Sequence, residues 1–176
     1  RESKLGKRDY AVLLRAARLG MRAGDIHRLR IDQIKWNNDC IEYVQQKTNN
    51  PSVLPLLKDV KLALLDYLKN SRPISNLPHV FLTTKAPYTN GSEFEIYYRV
   101  LQKYLNLAQV DEKPVRKKGL HTFRHSLASN LLAQNTPMPV ITGVLGHKQM
   151  DTTSQYLKVN LSQLRLIALE VPREER

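Results

Sequence analysis

Apolar residues repeat with a helical period along most of this chain and with a strand period in one region, residues 34–56, and that switch restricts how it can fold. Asp9 to Leu19 carries Tyr10, Leu13, Leu14 and Ala17 at the spacing of one helix face, and Gly20 follows as a stop signal. A short helix is predicted over Gly24 to Leu29. Ile34 to Trp36, the turn Asn37-Asn38-Asp39, and Ile41 and Tyr43 alternating about Glu42 then read as a hairpin. Val53 to Leu56 offers a third strand, put at an edge by Pro55, and Lys47 to Pro51 forms the loop before it. Helices are predicted over Val60–Leu68, Ser92–Leu105 with Ser92 as N-cap, Thr122–Ala133 and Pro139–Leu145, where proline suits the first turn and Gly146 the stop. Asn70 to Pro78 and Val110 to Lys118 read as connectors. Asp151–Tyr156 and Leu161–Leu169 complete a mainly α domain with a small antiparallel β-hairpin or three-stranded sheet.

A chain of 176 residues is the size of one ordinary domain, so residues 1–176 are expected to form a single unit, with 1–8 as a linker and 157–176 as a C-terminal tail or helix. Hydrophobic residues at 41% and charged residues at 25% exclude a disordered or fibrous chain. The apolar stretch Val60 to Leu68 is broken by Lys61 and Asp66 and falls short of the about 18 residues of a membrane helix, so no membrane partner is expected. The sequence opens on Arg1 with no leader, as an excised fragment of a longer protein would. The single cysteine, Cys40, has no partner for an internal disulfide and reads as a buried thiol in a reducing, cytoplasmic setting.

The net charge of +12 points to a polyanionic partner. Residues 1–35 hold ten Lys/Arg against four acids, and residues 113–124 hold five bases and no acid, whereas residues 36–112 are balanced. Charge runs are often only solvated surface, so the blocks gain meaning from what stands inside and beside them. In order these are Leu19-Gly20-Met21-Arg22-Ala23-Gly24-Asp25, Lys47, His121-Thr122-Phe123-Arg124-His125, Leu145-Gly146-His147 and Tyr156.

Read together, these segments resemble the phage-integrase, or tyrosine recombinase, family. Its pattern is an arginine after a small-residue turn, a lysine in a β-hairpin loop, a His-x-x-Arg helix, a Leu-Gly-His turn and a tyrosine about nine residues later. The resemblance covers the chain from about Lys7 onward and implies the catalytic-domain fold of that family. It also implies a site-specific recombinase that cuts and rejoins DNA through a 3′-phosphotyrosine intermediate and a four-way junction. Thr122 stands where the family frequently has aspartate and Phe123 where leucine is usual; neither change removes a reacting group.

The chemistry accounts for the residue types. Attack of a tyrosine on a phosphodiester needs a phenol of pKa about 10 to be activated, extra charge on the phosphoryl oxygens to be stabilised, and a deoxyribose oxygen to be protonated as it leaves. Arg22 and Arg124 suit the second task, because a guanidinium forks onto phosphate oxygens and stays charged. His121 and Arg124 at i and i+3 share one helix face. The resemblance assigns acid/base work to His121, the leaving-group proton to Lys47, a phosphate hydrogen bond to His147 and nucleophilic attack to Tyr156. Asp25, three residues after Arg22, is expected to steady that arginine or its turn. Lys113, Arg116, Lys117 and Lys118 are expected on the DNA backbone, adding salt-dependent affinity.

No cofactor and no metal are expected. His121 and His125 at i and i+4 invite a zinc reading, but the segment lacks the glutamate of His-Glu-x-x-His and places a cation between the ligands. His125 then supports the neighbouring arginine, and Phe123 is packing. The expected partner is double-stranded DNA. The resemblance implies a tetramer on paired sites, with the apolar helix face of Leu161, Leu164, Ile167 and Ala168 exchanged between protomers, while the residues alone allow that face equally to pack on its own domain. The alternatives are relaxation of DNA by a type IB topoisomerase-like enzyme, a DNA-binding module of the same fold that no longer cuts, and a general basic nucleic-acid-binding protein.

Overall fold

A computed structural model of the chain describes residues 3–92, 97–109 and 119–145. The fold is mainly α with one three-stranded antiparallel sheet, as the apolar periods require. Helix α1 (Lys4–Leu19) starts earlier than its apolar pattern suggests, because Ser3 caps it by accepting from the Gly6 amide at 3.0 Å. It stops at Gly20, whose φ of 60° is the left-handed conformation that glycine adopts without strain. A side chain there would place its Cβ 2.8 Å from Cδ2 of the fully buried Leu127, which would have to shift. Gly20→Ala is therefore expected to lower the unfolding free energy by about 1–3 kcal/mol, read as an earlier urea midpoint. An unchanged midpoint would show that this turn tolerates a Cβ.

Helix α1 is buried on more than one side, since it packs on α3 (Lys58–Asn70) and on α5 (His121–Ala133). This differs from the single face expected for it. Ala11, Val12, Leu14, Ala16 and Leu19 are buried, whereas Tyr10 and Leu13 lie half-buried at the edge of the core. Charged residues are enclosed with them. Asp9 is buried between Arg8 at 3.2 Å and Lys103 at 3.4 Å, and Arg15 is fully buried against the Phe81 ring. Ion pairs of Lys7 with Asp66 (2.7 Å) and Arg18 with Asp59 (2.8 Å) add to the α1–α3 contact.

The sheet follows the alternation read from the sequence. Strands β1 (Ile34–Lys35), β2 (Cys40–Val44) and β3 (Pro51–Pro55) pair in the order β1-β2-β3, with Ile41 opposite Ile34 on one side and Leu54 on the other. Ile41 and Tyr43 face the core and Glu42 and Val44 face out. Pro55 ends β3, which has no ladder partner on its far side among the described residues.

In α3, Val60, Ala63, Leu64 and Tyr67 point inward, and Leu62 is turned to solvent although it belongs to the same apolar run. After α3 the chain crosses by a connector that Arg72 fastens, donating to the carbonyls of Leu77 (2.7 Å), His79 (2.9 Å) and Val80 (3.2 Å). It then enters the core as Val80-Phe81-Leu82, all fully buried, with the Tyr67 hydroxyl accepting from the Leu82 amide. Helices α2 (Ala23–Arg28), α4 (Arg99–Leu107) and α6 (Met138–Leu145) complete the described elements. Among these residues no helix is long and apolar enough to cross a membrane.

Candidate active site

The site is built where α1 ends. Gly20 turns the chain, Met21 is buried as an anchor, and Arg22 stands as the residue before α2 with extended backbone. Its guanidinium is largely enclosed and donates from Nη1 to Oε1 of Gln45 at 2.8 Å. One turn on, Asp25 is buried with its carboxylate split between two duties. Oδ2 lies 4.0 Å from Arg22 Nη1, and Oδ1 accepts from the Gln46 amide at 2.9 Å. Asp25 thus touches both the arginine and the β2–β3 turn.

That turn carries Lys47. It is closed by the Gln45 amide on the Asn50 carbonyl and the Asn49 amide on the Gln45 carbonyl, both at 2.9 Å, with Asn49 at φ 56°. Lys47 itself is exposed. His121 opens α5 and is exposed, with Gly119 and Leu120 beside it lining the same cleft. The cleft, of about 660 Å³, is bounded by Arg22, Asp25, Lys47, Tyr97, Tyr98 and His121 among others, so residues far apart in sequence converge on one space. The pKa of His121 is lowered, first by desolvation and then by the positive charges of Arg124, Arg22, His125 and Lys47. All the expected cations of the described chain are therefore within electrostatic reach of this imidazole.

Arg124, one turn into α5, is buried behind the cleft. Its Nη1 donates to the Gly20 carbonyl at 2.8 Å and its Nη2 to the carbonyl of Leu145, so one guanidinium joins the ends of α1 and α6. Desolvation, and then the charge of Arg22, press its pKa down to about 10, which still leaves it protonated at neutral pH. Asp25 and Tyr43 oppose that shift. Tyr43 is buried with its own pKa pushed up to about 12 by burial.

Arg22, Asp25, Lys47, His121 and Arg124 are thus brought together. His147, Tyr156 and the backbone-contacting set Lys113, Arg116, Lys117 and Lys118 lie outside the described residues, as does the apolar C-terminal helix. His125 is exposed with its ring 6.4 Å from that of His121, and Phe123 packs against the core. The residue missed from sequence is Gln45, which is buried against Arg22. The signal was available, because Ile41 and Tyr43 point inward and the next position in that alternation is 45.

An arginine turn, a lysine hairpin and the start of a histidine–arginine helix thus meet at one cleft of a mainly helical protein. Comparison with known proteins then fixes its relatives. The model of the phage integrase family matches residues 1–163. A candidate integrase/recombinase of Sinorhizobium fredii is 37% identical over 170 residues, covering 97% of this chain and 86% of that protein. Another from the same organism is 37% identical over 174 residues, covering 99% of this chain and 41% of its own length. Among solved structures, the XerH site-specific recombinase bound to a palindromic difH substrate in a post-cleavage complex has the same fold. It matches with a TM-score of 0.67 at 19% identity, over 94% of this chain and 46% of that one. The chain belongs to the phage integrase family.

Proposed function

We propose that this chain is the catalytic domain of a site-specific DNA recombinase that works through a 3′-phosphotyrosine. The observation that carries the reading is the convergence of Arg22, Lys47 and His121 on one cleft with Arg124 fixed behind it. Three basic groups lining this cleft, with a fourth buried behind it, suit the charge of a phosphodiester in transit.

In the proposed step the Tyr156 oxygen attacks phosphorus and the bond to the 5′ oxygen breaks. The phenolic proton leaves toward His121, whose lowered pKa keeps it neutral and able to accept at pH 7. Arg22 and Arg124 hold the charge that builds on the non-bridging oxygens, with His147 as a further donor. Lys47 gives its proton to the departing 5′ oxygen, and Asp25 keeps the Arg22 turn and the Lys47 turn in register. A 5′ hydroxyl from a second duplex reverses the attack, so bond energy is conserved and no ATP is consumed. Two such rounds by four protomers on paired sites, linked through their C-terminal helices, recombine two duplexes. The Lys113–Lys118 segment adds contacts to the DNA backbone, and the protein acts on DNA in the cytoplasm of its host.

The test is to incubate the full chain in EDTA with a nicked duplex made from the DNA flanking its own gene, and to look for a covalent adduct on a denaturing gel. An adduct is expected. Lys47→Ala is expected to form it about 100-fold more slowly on an ordinary phosphodiester but near the wild-type rate on a 5′-bridging phosphorothiolate, because a thiolate departs without needing a proton. Equal slowing on both substrates would remove Lys47 from the proton-donor role. Absence of any adduct would favour a DNA-binding module that does not cut. Joining of strands between two labelled duplexes separates recombination from simple relaxation.

A further inference from the structure

Gln45 is almost wholly enclosed, with 1% of its surface exposed, and it sits where the inward alternation of β2 runs into the Lys47 turn. Its Oε1 accepts two hydrogen bonds, from Arg22 Nη1 at 2.8 Å and from the Thr48 hydroxyl at 3.0 Å. The orientation of this amide is not arbitrary. A guanidinium can only donate, so the oxygen and not the nitrogen must face Arg22. The backbone of the same residue closes the turn at both ends, through the Asn49 and Asn50 contacts at 2.9 Å. One side chain therefore joins the arginine of one loop to the loop that presents Lys47.

We propose that Gln45 is a positioning residue that holds Arg22 and the Lys47 turn in one fixed geometry through a neutral acceptor. The inference deepens the recombinase reading and rests on it for its consequences in catalysis. Neutrality matters chemically. A carboxylate at this position would hold Arg22 equally well but would add a second negative charge to that of Asp25 in competition with the phosphate, whereas an amide oxygen aims the guanidinium without adding one. Asp25 does not replace Gln45, because its nearer oxygen to Arg22 stands at 4.0 Å while its other oxygen is engaged by the Gln46 amide. Thr48 completes the device by fixing the amide oxygen from the turn side, one residue beyond Lys47.

The experiment compares the full chain with Gln45→Met, which matches the volume and removes the acceptor. Two readouts are taken: amide hydrogen exchange at residues 45–50, and adduct formation on ordinary and 5′-bridging phosphorothiolate duplexes made from the DNA flanking the gene. The expected result is faster exchange in the turn in a protein that still unfolds cooperatively at a modestly lower melting temperature, and cleavage of the ordinary duplex slowed about 10- to 100-fold, the scale of an ångström-sized misplacement. The defect should shrink on the phosphorothiolate, because there the displaced Lys47 is no longer needed. Slowing that is equal on the two substrates, or wild-type rates, or unchanged exchange would overturn the proposal. Gln45→Glu keeps the acceptor and is expected to exchange at the wild-type rate in the turn; acceleration there would also overturn it. If the wild-type chain forms no adduct, the recombinase reading fails while the exchange arm still decides whether Gln45 ties the two loops.

Discussion

Replacing Tyr156 with Phe is expected to remove the covalent DNA adduct entirely while leaving DNA binding within about twofold of the wild type. Phe keeps the ring and loses the only atom that can attack phosphorus, so the step has no slower version through the same residue. The other tyrosines near the cleft are poor substitutes. Tyr43 is buried, and its pKa of about 12 puts ionisation out of reach at neutral pH. Tyr97 is 2% exposed and cannot present its oxygen to a duplex. Tyr98 lines the cleft and is 39% exposed, which makes it the one competitor on grounds of access. Tyr98→Phe is accordingly expected to form the adduct as the wild type does, and peptide mapping of the wild-type adduct should place the phosphate on Tyr156. An adduct that survives Tyr156→Phe and is lost in Tyr98→Phe would reassign the nucleophile.

Much of the architecture was legible because local patterns and tertiary burial agree there. The hairpin is the clearest case. Ile41, Tyr43 and Leu54 alternate with outward residues, and the observed register follows. Helix α1 was legible as a helix but not in its surroundings. The sequence shows a block of ten cations over residues 1–35 that suggests a basic face, yet Arg8 and Arg15 are buried and Arg18 is paired with Asp59. A helix enclosed on two sides must bury whatever its other positions carry. Arg15 does so against the Phe81 ring, with Nη1 on the Ala11 carbonyl and its pKa lowered to about 9 by burial. No periodicity announces that, because enclosure depends on what α3 and α5 bring from elsewhere in the chain. Val80-Phe81-Leu82 was unread for a related reason. Three apolar residues in a row carry no period, and their burial comes from Tyr67 and from the connector fastened by Arg72.

The candidate site divides in the same way. Arg22, Lys47, His121 and Arg124 were identifiable by type and order, and Asp25 by its spacing from Arg22. What order could not supply was the difference between the two arginines. Arg22 borders the cleft and is held by side chains, the Gln45 amide oxygen at 2.8 Å and the Asp25 carboxylate at 4.0 Å, whereas Arg124 is enclosed and held by two backbone carbonyls. That difference between side-chain and backbone partners depends on where α6 ends, at Leu145, beside the Gly20 turn, which is a fact of packing and not of spacing.

It also sets the second large expectation, for Arg124→Lys. The substitution preserves charge, so on electrostatics alone its effect would be small. The geometry argues otherwise. The guanidinium reaches the carbonyls of Gly20 and Leu145 from a single plane, at the negative C-terminal ends of α1 and α6. A lysine ammonium is a point charge on a flexible stem and cannot hold two such acceptors and a phosphate in one plane. Leaving one buried carbonyl without its donor costs about 1–3 kcal/mol, so the urea midpoint should fall without unfolding the protein. The effect on catalysis should be much larger, a loss of about 1,000-fold or more in the rate of adduct formation, the scale seen when a phosphoryl-stabilising arginine is removed. Arg124→Ala should cost more stability, since both carbonyls lose their donor, but little further activity. Adduct formation by Arg124→Lys within tenfold of the wild type would mean that charge alone is what the site takes from this residue. In that case the forked contact to α1 and α6 belongs to stability and not to the reaction.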